Sequence, residues 1–167
     1  MNEAALSDGD IARLFHAAAS EGDVARLAAL LDDGFDPNRV DGRGFTPLIL
    51  ASYKGQVAAM HLLLERGAAV DGRDSMGSSA LGGVAFKGHE AAARVLLDAG
   101  ATVDLPDGAG RTPLMFAVMF GRVGTAALLV QHGADPGRPD DEGSTPADIA
   151  RTSGRADMIA ALGFAPC

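Results

Sequence analysis

The sequence predicts an all-α repeat solenoid, built from stacked helix-turn-helix units joined by hairpin-like loops. Three series of glycines predict it. Gly22, Gly55, Gly88, Gly121 and Gly154 follow one another at intervals of 33 residues; Gly34, Gly67, Gly100 and Gly133 keep the same step, as do Gly44, Gly77, Gly110 and Gly143. A fixed period of this length marks an array in which each unit contacts only its neighbours. The composition agrees: 47% of residues are hydrophobic but only 5% aromatic, with no tryptophan. The apolar mass is alanine, leucine and valine, which suits short, closely packed helices.

Five units fill residues 10–163, with a disordered tail expected over 1–9 and a short tail over 164–167. The first unit, about 10–40, offers Asp10 as a helix cap, then Leu14-Phe15-His16-Ala17-Ala18, and ends on Leu30-Leu31, Gly34 and Asp36-Pro37-Asn38. The second, 41–73, reads Asp41-Gly-Arg-Gly-Phe-Thr-Pro-Leu48, Ile49-Leu-Ala-Ser-Tyr-Lys-Gly55, Leu62-Leu-Leu64 and Gly67-Ala-Ala-Val-Asp71. The third covers 74–106. The fourth, 107–139, reads Asp107-Gly-Ala-Gly-Arg-Thr-Pro-Leu114, Met115-Phe-Ala-Val-Met-Phe-Gly121, Leu128-Leu-Val130 and Gly133-Ala-Asp-Pro136. The last, 140–163, has Thr145-Pro-Ala-Asp-Ile-Ala150 and a short second helix ending near Leu162.

The local chemistry explains each boundary. Thr46, Thr112 and Thr145 can cap a helix by accepting a backbone N–H bond, and the proline after each has a fixed φ suited to the first turn. Leu48 and Ala51, then Leu114 and Ala117, lie on one helix face. Gly55, Gly88 and Gly121 end the first helix of a unit; Gly67, Gly100 and Gly133 end the second. The segments 68–77, 101–110 and 134–143 are rich in Gly, Pro and Asp and turn back as loops.

These units resemble the ankyrin repeat, whose hallmarks are a Thr-Pro-Leu-His-x-Ala stretch and a later Leu-Leu-x-x-Gly-Ala. The resemblance covers about residues 10–163. It implies a non-enzymatic protein-binding scaffold, with the first helices and loop tips lining a concave recognition face. Two departures matter. The family's histidine survives only as His16; Ile49, Gly82, Met115 and Asp148 stand at the equivalent positions. The third unit replaces Thr-Pro by Ser79-Ala80 and places Gly82 and Gly83 inside its first helix, each costing about 1 kcal/mol relative to alanine. Phe116, one unit beyond Gly83, could fill the space glycine leaves; the other reading is a notch or soft hinge for a partner. The filler is preferred, because it restores native packing density.

The net charge is −8 and the pI about 4.8. This disfavours a nucleic-acid partner, which needs a basic footprint. Acids outnumber bases eight to three in residues 1–40 and six to three in 134–167, whereas the middle is nearly neutral. Acidic ends discourage end-to-end stacking. One cysteine, Cys167, allows no intramolecular disulfide, the start lacks a signal-peptide pattern, and no apolar run has membrane-spanning length. A cytoplasmic monomer without a membrane partner is expected, and the Ala-, Gly-, Arg- and Asp-rich composition points to a bacterial source.

No motif for catalysis stands out. His16, His61, His89 and His132 form no metal-ligand spacing, no glycine precedes Lys-Ser or Lys-Thr, and no Gly-x-Ser-x-Gly occurs. Gly108-Ala-Gly110 lies in a repeat turn, and Asp140-Asp141-Glu142 lacks the alternation of a calcium loop. No cofactor or metal is expected. The functional signal is instead a stripe on the first helices: Tyr53, Phe86 and Met119 at one-unit spacing, with Lys54, Lys87 and Phe120 beside them. The tips add Arg43, Phe45, Ser75, Met76 and Arg111. Aromatics, methionine and arginine are favoured at interfaces. The expected function is therefore protein binding through the middle units, regulatory or inhibitory in effect. Two alternatives are a small-ligand binder or enzyme with a pocket near Gly82 and Gly83, and a structural unit that associates with itself.

Overall fold

The computed structural model of the protein describes residues 7–165. Among the described residues ten α-helices pair into five units: α1 (Asp8–Glu21) with α2 (Val24–Asp32), α3 (Pro47–Tyr53) with α4 (Val57–Glu65), α5 (Ala80–Lys87) with α6 (Glu90–Asp98), α7 (Pro113–Met119) with α8 (Val123–Gln131), and α9 (Pro146–Ser153) with α10 (Ala156–Ala161). Among the described residues there is no strand. The connections are hairpin turns, one of which carries an isolated bridge between Arg73 and Ser79. First helices stack on first helices in the order α1, α3, α5, α7, α9, and second helices form a parallel row. Helices this short are marginal alone in water, so the stacking is what holds them.

The core runs between the two rows. Phe15, Leu27, Leu48, Met60, Leu63, Leu81, Leu96, Leu114, Leu128, Leu129 and Met158 are fully buried. Buried alanines, among them Ala51, Ala59, Ala85, Ala92, Ala117 and Ala126, separate them and let the helices approach closely. Caps fall where the residues suggest. The hydroxyls of Thr46, Ser79, Thr112 and Thr145 accept the amides of Ile49, Gly82, Met115 and Asp148 at 3.1–3.3 Å. At the start of the chain the expectation needs correction. Ser7 is the cap of α1 and Asp10 is its reciprocal partner three residues into the helix, so Asp8 and Gly9 are helical and belong to the first unit. At the other end Phe164 donates its amide to Ile159 and packs under the Arg151 guanidinium, so it is docked on the last unit. The remaining tail expectations, Cys167 included, lie outside the described residues.

Each hairpin turns on an aspartate that the sequence analysis left without a role. Asp41, Asp74, Asp107 and Asp140 each accept two backbone amides on one carboxylate oxygen, from the residues two and four further on, at 2.8–3.0 Å. Each also donates its own amide to the carbonyl four residues on. Successive hairpins then touch. The amide of Gly108 donates to the Met76 carbonyl at 3.0 Å. Side chains cannot fit there: a Cβ on Gly108 would lie 2.8 Å from that carbonyl oxygen, and one on Gly77, at φ 77°, would lie 2.9 Å from the Gly108 amide.

A second set of carboxyl and amide side chains ties neighbouring loops together at the same period. Asn38 accepts the Ala69 amide at 2.7 Å and donates to the Gly67 carbonyl at 3.2 Å. Asp71 accepts both the amide and the hydroxyl of Thr102, at 3.0 and 2.6 Å, and Asp104 accepts the Asp135 amide at 3.0 Å. Desolvation pushes the Asp104 carboxyl above its usual range; the Asp135 amide and Arg138 oppose that shift, and the Asp135 charge adds to it. Asn at this position would keep the acceptor, shed the charge and supply the donor that Asn38 uses. Asp104→Asn is therefore expected to stabilise by about 0.5–1 kcal/mol at neutral pH, the size of one net hydrogen bond. Because the folded-state carboxyl is raised, the penalty is present when Asp104 is ionised and vanishes as pH falls through the folded value. Urea denaturation of both proteins at neutral and acid pH checks this; an advantage that does not shrink in acid contradicts it.

Two buried hydroxyls, Ser52 and Thr125, have no hydrogen-bond partner among the described residues. Ser52 is fully buried in α3, where the first and third units place the buried Ala19 and Ala85. Ser52→Ala is expected to gain about 1 kcal/mol, the lower end of the cost of burying an unpaired hydroxyl. A lower urea midpoint for the variant contradicts that reading.

Candidate functional site

The side chains expected to form the binding stripe lie on the first-helix row and in the hairpin tips of the second to fourth units. Three rings of the stripe meet across three units. Tyr53 stacks on Phe86 with centroids 6.1 Å apart and planes 13° apart, and Phe86 meets Phe120 edge-on at 4.3 Å. The Lys87 ammonium lies 4.8 Å over the Tyr53 ring. The ladder is not the strictly periodic one. Met119 is the equivalent of Phe86, yet Phe120 is the ring partner, because α7 ends at Met119 and Phe120 is the residue at which the chain turns.

The rings at the edge of the stripe are open. Tyr53 is 39% exposed, Phe120 44% and Met119 48%, while Phe86 between them is half-buried. Lys54 is exposed and Lys87 half-buried. At the tips, Met76 is 66% exposed. Phe45 departs from the expectation of a free tip, since it is half-buried and packs against the core. The tip arginines are committed within their own hairpins. Arg43 pairs with Asp41 at 3.0 Å and covers the Phe45 ring at 4.9 Å. Arg111 pairs with the buried Asp107 at 2.7 Å and covers Phe116 at 5.1 Å. Desolvation is the largest single influence on the Asp107 carboxyl and raises it. The Arg111 guanidinium bonds, the two turn amides and the Arg111 charge together outweigh it and hold the group below its usual range. Asp41 is lowered by the same balance, with the amides of Phe45 and Arg43 leading the opposition to desolvation.

Gly82 and Gly83 do not line an open notch. Gly82 is buried, and the Phe116 ring stands 4.0 Å from where its Cβ would be. The Tyr53 ring stands 3.6 Å from the Cβ position of Gly83. Rings from the units on either side therefore cover the glycines, but not as expected: Phe116, the expected filler at Gly83, stands over Gly82, and the ring at Gly83 is Tyr53. Two surface cavities, of ~390 and ~360 Å³, lie at opposite ends of the array. The first is bordered by His16, Arg39 and Val40, the second by Asp148, Ile149 and Thr152. Neither involves Gly82, Gly83, Ser78, Ser79 or His89.

The histidines are structural or solvent-facing. His16 is buried, with Nδ1 and Nε2 each 2.7 Å from a carbonyl oxygen, of Ala12 and Arg39 respectively, which joins α1 to the first hairpin. His89 lies over Gly55 of the preceding unit, and His132 meets the Leu128 carbonyl at 2.9 Å. Among the described residues no cluster of histidine, cysteine and carboxylate side chains could hold a metal ion, and no helix is long and apolar enough to cross a membrane.

A family model described as ankyrin repeats (3 copies) matches residues 14–107, and another described as ankyrin repeats (many copies) matches residues 96–150. No curated protein matches the chain.

Proposed function

The chain belongs to the ankyrin-repeat family, and from that premise we propose that it binds a protein partner through the first helices and hairpin tips of its middle units. Ankyrin repeats are protein–protein interaction modules. The observation that carries the finer reading is the ladder of Tyr53, Phe86 and Phe120 with Met119 at its edge, large apolar groups left open on one rigid face. Exposed apolar stripes of this kind mark interaction sites. A stacked array is preorganised, so little ordering cost opposes binding. The effect of such binding is regulatory: the partner is sequestered or inhibited, and no reaction is catalysed by this chain.

The test is capture of partners from a lysate of the source organism. Wild-type protein is compared with a Tyr53→Ala, Met119→Ala, Phe120→Ala variant whose melting shows it folded. Tyr53 and Phe120 also pack on Phe86, so the variant is expected to melt below wild type while still unfolding cooperatively, and to lose at least ~2 kcal/mol of binding, as truncation of interface anchors does. A partner retained equally by the variant contradicts the reading.

A further inference from the structure

We propose that the ladder face takes an acidic segment of its protein partner, one that carries an aromatic or aliphatic side chain among its carboxylates. This rests on the reading above that the face binds a protein, and it names the chemistry of what is bound. Some cations of the middle units are neutralised by carboxylates within the array and others are not. Around the middle units, Arg43 and Arg111 are held by Asp41 and Asp107 and Arg66 by Asp32, whereas Arg73, like Arg122, donates only to backbone carbonyls, and Arg94 stands on α6 in the second-helix row. Lys54, Lys87 and Arg122 form no ion pair among the described residues.

Of these, Lys87 lies over a ladder ring, and Lys54 and Arg122 are tied to the backbone of the ladder residues. Lys54 follows Tyr53 directly, Lys87 lies over the Tyr53 ring, and Arg122 donates its Nε–H to the Phe86 carbonyl at 3.0 Å. In a chain of net charge −8 acids are abundant, yet among the described residues none pairs with them. Uncompensated positive charge beside an open apolar strip is complementary to carboxylates beside an apolar side chain. Covering the strip also removes water, which strengthens the attraction.

Single-stranded nucleic acid also uses cations and rings. Here Phe86 already spends its faces on Tyr53 and Phe120, and three cations do not make a continuous basic groove against the overall negative charge.

The test selects random dodecapeptides displayed on phage against the whole wild-type protein. The enriched peptide is then synthesised and titrated onto two variants. The first is Lys54→Gln, Lys87→Gln, Arg122→Gln; glutamine is tolerated at the third site because Gln56, its equivalent, makes the same type of bond to the Ser20 carbonyl at 3.3 Å. The second is Tyr53→Ala, Phe120→Ala. Melting confirms that both fold. Enriched peptides are expected to combine Asp or Glu with an aromatic or aliphatic residue. Their affinity should fall at least ~10-fold on each variant, and fall again as salt is raised enough to shorten the screening length. Neutral or basic peptides that still need Tyr53 and Phe120 overturn the acidic inference and leave the ladder as the binding face. Peptides indifferent to both variants, or no enrichment, overturn both readings. A single-stranded DNA oligonucleotide that binds more tightly than the peptide, and loses binding on the glutamine variant, replaces the protein segment by nucleic acid and overturns the proposal.

Discussion

Replacing Asp107 by alanine is expected to cost about 3 kcal/mol, or roughly 10 °C in melting temperature. Its carboxylate is buried, accepts the Ala109 and Arg111 amides at 2.9 and 3.0 Å, and holds the Arg111 guanidinium at 2.7 Å. Alanine leaves two turn amides without their acceptor and a half-buried cation without its partner. Hydrogen bonds to charged groups contribute about 1.5–3 kcal/mol each, and rehydration of the partly exposed arginine limits the total. Asp140→Ala removes the same two amide bonds but no arginine, so about half the loss is expected there. Equal losses at the two sites contradict the role given to Arg111. The pH dependence has a definite sign. The folded carboxyl is held below its unfolded value, so its contribution is fully present above about pH 4 and is lost as pH falls through the folded value. The gap between wild type and Asp107→Ala should narrow in acid, as read by urea denaturation at several pH values.

Filling the glycines of α5 is expected to act in the opposite direction. Gly82→Ala with Gly83→Ala should raise stability by about 1–2 kcal/mol, because glycine within a helix costs nearly 1 kcal/mol against alanine and loosens the unfolded chain. Neither position has a positive φ, and the added methyls would meet nothing closer than 3.6 Å, at the Tyr53 ring. Larger residues should fail. Gly83→Phe, which copies the fourth unit, needs the volume that Tyr53 occupies, and overpacking of this kind costs about 1–3 kcal/mol. Thermal melting separates the two. A double-alanine variant that melts lower than wild type shows that the glycines serve a conformation other than this helix.

The period, the helix pairs and the threonine caps were legible because each depends on a residue whose local chemistry forces one outcome. Glycine at a left-handed turn and a hydroxyl before proline leave little choice. The start of α1 was misplaced because Ser7 and Asp10 can each cap a helix, and only the reciprocal geometry shows which one does. The hairpin aspartates stood at the repeat period throughout, at 41, 74, 107 and 140, and so did Asn38, Asp71 and Asp104. Their signal was visible but carried no role, because aspartate in a loop is equally at home in water. The candidate face was legible only in outline. One-unit spacing pointed to Met119, whereas the ring that meets Phe86 is Phe120, since side-chain direction at a helix end follows the backbone turn and not the count of residues. Likewise, sequence spacing could not tell that Arg43 and Arg111 are spent on their own hairpins while Lys54, Lys87 and Arg122 are not.

The central claim is that partner contact is confined to the first-helix face. Site-specific photo-crosslinking tests it most directly. A photoreactive phenylalanine is placed at Tyr53 or Phe120 on the ladder, or at His61 or Arg94, which are exposed on the second-helix row. Each protein is irradiated in cells of the source organism. The account predicts one defined adduct, a protein other than a second copy of this chain, from the two ladder positions and none from His61 or Arg94. Adducts from the second-helix positions alone, or a ladder adduct with the mass of two copies of the chain, would contradict it.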